Sequence, residues 1–142
     1  MMGTSGKAGR GAPASATIVG RLASGRGEGA SFTRLPWARA QFVAKLGIDP
    51  YPGTINLTLD DGARAAWAMR RRELAVVIAA PDAAFCDARA ARVRIAGAID
   101  GAVVVPLVAG YPDDKVEVIA AVGVRAALGL ADGDPVELRF ET

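Results

Sequence analysis

The residues best suited to chemistry lie in Pro50-Tyr51-Pro52-Gly53-Thr54-Ile55-Asn56-Leu57. A stiff Pro-Tyr-Pro-Gly turn delivers a short run in which Thr54 and Asn56 alternate with Ile55 and Leu57. In a strand, a repeat of two sends the hydroxyl and the carboxamide to one face and the aliphatics to the other. Two neutral oxygen donors beside a rigid turn can hold a hard cation such as Mg²⁺ without cancelling its charge. The same pair also suits the shoulder of a β-hairpin, where Thr and Asn satisfy local hydrogen bonds, and the spacing alone favours that plainer role. A second candidate is Ser24-Gly25-Arg26-Gly27-Glu28-Gly29. Glycine at alternate positions lets the backbone take φ > 0 and gather its N–H groups into an anion-binding nest. The run lacks the Gly-Lys-Ser/Thr ending of a Walker loop and the G-x-G-x-x-G spacing of a dinucleotide fingerprint, so a flexible hairpin tip is the alternative. Arg26 favours an anion. Glu28 suits a ligand's donor groups or a neighbouring amide better than a phosphate.

Among the carboxylates, Glu117 interrupts the apolar run Val116-Glu117-Val118-Ile119-Ala120. It is either a gatekeeper on an edge strand or a ligand-facing group. Asp60-Asp61 before Gly62, and Asp132 and Asp134 around Gly133, are explained more simply as turns than as metal ligands. The chain has no histidine and one cysteine, Cys86. That excludes Ser-His-Asp and Cys-His nucleophile systems, histidine acid catalysis, the usual transition-metal ligand sets, internal disulfides and cysteine-rich zinc sites. Without a histidine to activate it, Cys86 reads as a small buried apolar residue. A net charge of +2 suits a small anionic ligand better than a long phosphate backbone. Chemistry must come from backbone amides, hydroxyls, carboxylates, Arg and Lys, and a hard metal.

Positioning these groups falls to a chain of 142 residues, enough for one domain with a real core. Hydrophobic residues make up 51% but aromatics only 6%, so the core is built mainly from Ala, Val, Ile and Leu. No run approaches the ~18–20 apolar residues that cross a bilayer. Residues 1–16 are Gly, Ala and Ser with Lys7 and Arg10 and have no apolar stretch. They read as a disordered extension or a start-site artefact, with the folded domain over 17–142 and a cytoplasmic location expected.

Strand patterns cover 17–22, 54–57, 74–79, 91–99, 102–106, 116–120 and 135–140, with a short one at 31–33. The run 74–79 is continuously apolar, as in a strand buried on both faces. Asp100-Gly101 predicts the hairpin turn between 91–99 and 102–106. Helices are predicted over 36–46, 63–72 and 122–130. Pro36 opens the first and Gly47 stops it, with Trp37, Ala40, Phe42, Val43 and Leu46 as its core stripe. Loops are expected at 81–89, with Phe85 and Cys86 against the barrel, and at 110–114. Six or seven short strands with two or three brief helices make a mainly-β fold, a small barrel with helices over its ends.

Together these landmarks resemble the CTP-dependent riboflavin kinases best known from archaea. The resemblance is carried by the Gly-rich run at 24–29, Pro50-Tyr51-Pro52-Gly53-Thr54-Ile55-Asn56-Leu57, and Asp100-Gly101-Ala102-Val103-Val104-Val105-Pro106. It continues through Glu117-Val118-Ile119-Ala120, Arg125, Leu128-Gly129-Leu130 and Asp132-Gly133-Asp134, in family order over about 17–140. It implies a six-stranded cradle-loop β-barrel that transfers the γ-phosphoryl group of CTP to the 5′-hydroxyl of riboflavin, giving FMN and CDP. By resemblance, Arg26, Gly27, Glu28, Gly29, Ala30 and Ser31 hold the nucleotide together with Val122, Gly123, Val124 and Arg125. Thr54 and Asn56 hold Mg²⁺, and Glu117 and Tyr111 lie on the flavin side. The chain departs from the family pattern at Ala109, where a Thr is usual, and at Ala121, where a Pro is usual.

Two other functions fit the same pattern. One is a module that binds the nucleotide or flavin without transferring anything. The other is a nucleic-acid-binding barrel, which scattered arginines and few aromatics disfavour. Neither a membrane nor a nucleic acid is an expected partner.

Overall fold

The structure is a computed structural model and describes residues 16–23 and 33–141. In chain order the elements are β1 (Thr17–Ala23), α1 (Pro36–Gln41) continuing as a π-helical turn (Phe42–Leu46), β2 (Ile55–Thr58) and α2 (Asp61–Arg71). They are followed by β3 (Val76–Ile78), β4 (Ala88–Ile95), β5 (Ile99–Pro106), β6 (Lys115–Ala120), α3 (Val124–Leu128) and β7 (Pro135–Phe140). All pairings are antiparallel, in the order β3-β4-β5-β6-β2-β1-β7, and β7 returns to β4. Six strands thus close into a barrel with β3 as an extra strand. On the edge of β4 away from β5, the first half pairs with β3 and the second half with β7.

The closed sheet has two apolar faces. Inside lie Leu57, Val93, Ile95, Val103, Val105, Val116, Val118 and Leu138, with Trp67 of α2 fully buried against them. Trp67 packs on Phe140 at 6.2 Å between ring centroids, and the guanidinium of Arg70 lies 4.9 Å over the same ring. Outside, α1 and its π turn cover Ala88, Ala90, Ala102, Val104 and Ile119. The unbroken apolar run at 102–105 is therefore explained by a strand with barrel interior on one side and a helix on the other.

Several local expectations are corrected. The β4–β5 turn is Ala96-Gly97-Ala98, because Ile95 already pairs with Ile99. Ala96 and Gly97 both take positive φ, 52° and 68°. Asp100 and Gly101 belong to β5, and Asp100 pairs across the ladder with Arg94 at 2.8 Å. In the first helix the buried positions are Ala38, Phe42 and Leu46, while Ala40 and Val43 face solvent. The π turn spans five residues per hydrogen bond and keeps a four-residue repeat on the covered side.

The strand at 74–79 shrinks to β3, whose Val77 is exposed. Its outer edge is occupied by side chains. Gln41 accepts from the Ala79 N–H at 2.7 Å and donates to the Ala79 carbonyl at 2.8 Å, and Lys45 donates to the Val77 carbonyl at 2.6 Å. Phe85 lies on Trp37 of α1, ring centroids 5.5 Å apart, rather than on the barrel, and Cys86 is only half-buried. Asp60 is the N-cap of α2, its Oδ1 accepting from the Ala63 N–H at 2.9 Å, so Asp61-Gly62 opens the helix instead of forming a turn. Of the short strand expected at 31–33, Thr33 is helical and the other two residues lie outside the described residues.

Candidate active site

On β2, Leu57 is fully buried in the barrel and Ile55 packs against the same cluster. The strand repeat therefore turns Asn56 to the outer face. On β6, Val116, Val118 and Ala120 point inward and Glu117 outward. The register places Asn56 opposite Glu117 and, on the other side of β2, opposite Ala23 of β1. Glu117 also pairs with Val104, so β6 has neighbours on both sides. The edge-strand reading of Glu117 is excluded by that pairing.

Three side chains meet at this carboxylate. Thr54 Oγ1 donates to Glu117 Oε1 at 3.3 Å, and the Tyr111 hydroxyl donates to Oε2. Asn56 Oδ1 is buried and accepts no hydrogen bond among the described residues. A buried acceptor without a partner costs about 1–3 kcal/mol, so this atom is poised for a ligand. Thr54 has committed its proton to Glu117, which leaves its oxygen lone pairs available. The set fits a hard cation that uses neutral protein oxygens and completes its shell with water and phosphate, as Mg²⁺ does. Among the described residues no group of three or more His, Cys, Asp or Glu could hold a metal. Asp132 is instead paired with Arg125 at 2.8 Å, and Asp134 accepts from the Ala131 N–H.

Tyr111 sits between two cations, with Arg71 5.6 Å and Lys115 5.7 Å from its ring centroid. Burial, reinforced by the hydrogen bond to Glu117, pushes its hydroxyl well above the usual phenol range. A group whose pKa is raised on folding contributes stability that is complete below its unfolded value and is lost as pH rises beyond it. Unfolding free energy is therefore expected to fall as pH climbs past 10.0, the ordinary value for this group. Urea titrations at pH 8 and at about pH 11 should show that decline in the wild type and a shallower one in Tyr111→Phe. Equal slopes would remove the buried phenol from the account.

Beside this cluster lies a cavity of ≈ 330 Å³ whose lining includes Tyr51, Pro52, Gly53 and Thr54 together with Val122, Gly123, Val124 and Arg125. Two backbone anchors set its walls. The Tyr51 N–H donates to the Ala120 carbonyl at 2.7 Å, tying the turn to the end of β6. The Gly53 N–H donates to Thr33 Oγ1 at 3.0 Å, and Thr33 is 3% exposed. Ala23, the last described residue of β1, pairs with Asn56, and the description resumes at Thr33, the residue that holds Gly53. Arg26, Gly27, Glu28, Gly29, Ala30 and Ser31 themselves lie outside the described residues.

The structure accordingly brings Thr54, Asn56, Glu117 and Tyr111 into one cluster and places 122–125 in the lining of the same cavity as Thr54. The third helix begins at Val124, two residues later than expected, which leaves Val122 in a bend and Gly123 extended in the cavity lining. Sequence reading missed Tyr51. Its signal was an aromatic ring set between two prolines, where the backbone has little freedom to turn it away.

The family model CTP-dep_RFKase, described as a domain of unknown function (DUF120), matches residues 22–140. The chain is 42% identical over 127 residues to a riboflavin kinase of Archaeoglobus fulgidus, covering 85% of this chain and 53% of that protein. It is 38% identical over 132 residues to a riboflavin kinase of Pyrobaculum arsenaticum, covering 88% and 60% respectively. A riboflavin kinase of Methanocella arvoryzae is 38% identical over 125 residues, covering 86% and 56%. The chain thus spans a little over half the length of these relatives. A closed barrel, the Gly-Thr-x-Asn strand beside Glu117 and a match over nearly all the described residues agree, and the chain belongs to the CTP-dependent riboflavin kinase family.

Proposed function

We propose that this domain transfers the γ-phosphoryl group of CTP to the 5′-hydroxyl of riboflavin, giving CDP and FMN. The observation that carries the reading is the partnerless Asn56 Oδ1 beside Thr54, one strand away from Glu117 and next to the cavity bounded by 122–125. Thr54 and Asn56 would hold Mg²⁺, which when bound neutralises charge on the phosphates. Thr54 also donates a hydrogen bond to Glu117, which helps fix the rotamer of both residues. Tyr111 holds the other carboxylate oxygen, so Glu117 presents a fixed acceptor to the flavin side chain. Val122, Gly123, Val124 and Arg125 border the nucleotide, and residues 26–31 complete its binding by the family resemblance. In the transfer, the bond from Pγ to the β–γ bridging oxygen breaks as a bond from the riboflavin oxygen to Pγ forms. The hydroxyl proton passes to solvent water late in the transfer, with no strong base needed, because the transition state is loose and positioning does most of the catalysis.

The test is a riboflavin phosphorylation assay with Mg²⁺ and either CTP or ATP as donor. FMN is expected with CTP and far less with ATP. Equal rates with ATP would sink the donor assignment. Binding of CTP and FMN without any product would leave a binding module instead of an enzyme.

A further inference from the structure

We propose that Tyr51 is a nucleobase-stacking residue, and that Gly123 is the backbone platform that keeps its ring in place. The proposal rests on the reading of this cavity as the nucleotide site. Tyr51 is 54% exposed although its backbone is fixed by the bond to Ala120 and by prolines on either side. An aromatic ring held at a cavity wall by a rigid backbone loses little freedom when a ligand covers it. The ring lies directly on Gly123. A Cβ added there would fall 3.2 Å from Tyr51 Cζ and 3.3 Å from Cε2, so any larger residue at 123 would tilt the ring.

No other aromatic residue lines this cavity among the described residues. The remaining wall near the ring is aliphatic, with Val122 also exposed. The Tyr51 hydroxyl has no hydrogen-bond partner among the described residues. One exposed aromatic ring, one exposed aliphatic side chain and Arg125 in the same lining match a flat heterocycle carrying an anionic tail. The flavin is placed elsewhere by the Glu117–Tyr111 pair, which leaves the pyrimidine of the donor as the ring that meets Tyr51.

The experiment measures CDP and inorganic triphosphate binding by calorimetry for the full chain, Tyr51→Ala and Tyr51→Phe. Wild-type protein is expected to bind both. Tyr51→Ala should weaken CDP by roughly 5- to 150-fold, the range that loss of one base–aromatic stack produces. It should leave triphosphate, which has no base, within about twofold of wild type. Tyr51→Phe keeps the face and should retain most of the CDP affinity. In the kinase assay Tyr51→Ala should raise KM for CTP and spare KM for riboflavin. Unchanged CDP binding in Tyr51→Ala, or an equal loss of CDP and triphosphate, would overturn the stacking role while the nucleotide site stood. A rise in KM for riboflavin alone would assign the ring to the flavin and overturn it too. If wild-type protein bound no CDP, the kinase reading itself would fall.

Discussion

Asn56→Leu is expected to abolish FMN formation while leaving the domain as stable as before, or more so. Leucine has the branched shape of asparagine but no polar atoms. Asn56 Oδ1 is buried without a partner among the described residues, and removing such a group returns part of a desolvation cost of about 1–3 kcal/mol. Turnover should nevertheless fall by at least about 10²–10³-fold, the loss typical when one preorganised contact to the reacting charge is deleted. Urea midpoints and FMN production at saturating Mg²⁺ give the two numbers. The opposite signs are what distinguish a ligand-directed amide from a structural one. Retained activity would remove Asn56 from the metal pair, and destabilisation would make it a sheet residue with a structural duty.

The largest effect on stability is expected at Gly101. A Cβ there would stand 2.5 Å from Ile95 Cδ1 and 2.6 Å from the Ile119 carbonyl oxygen. The isoleucine end can swing away, but the carbonyl belongs to β6 and cannot move without disturbing the ladder. Gly101→Ala should therefore cost about 3 kcal/mol, the upper range of overpacking in a dense interior. Gly97→Ala provides the contrast. Nothing lies within 4 Å of its added Cβ, but its φ is +68°, and one residue held in the left-handed region costs about 1–2 kcal/mol. Denaturant midpoints of the two variants would settle the order. If Gly97→Ala proved the more damaging, close approach of β5 to β6 would not be the reason for glycine at 101.

These two glycines show what the sequence made legible. Asp-Gly is a strong hairpin signal, and it misled because Gly101 is required by a neighbour far along the chain, Ile119, which no local pattern reveals. The real turn uses Ala96 at positive φ, a conformation alanine seldom takes and so seldom advertises. By contrast β1, β6 and β7 and the stop of the first helix at Gly47 were readable, because alternation and left-handed glycine are local properties. The face shared by Thr54 and Asn56 was legible for the same reason. Glu117 was ambiguous because its role depends on strands β5 and β2 lying on either side of it. Tyr51 was passed over because its meaning depends on Gly123, some seventy residues away.

The side chains that occupy the outer edge of β3 have a further effect. A free strand edge invites a second copy to add its own strand, the first step towards fibres. Here that docking line is already filled by an amide and an amine borrowed from the helix next door. Growth by strand addition at this edge is therefore opposed by the domain's own side chains, a protection that does not depend on its net charge of +2.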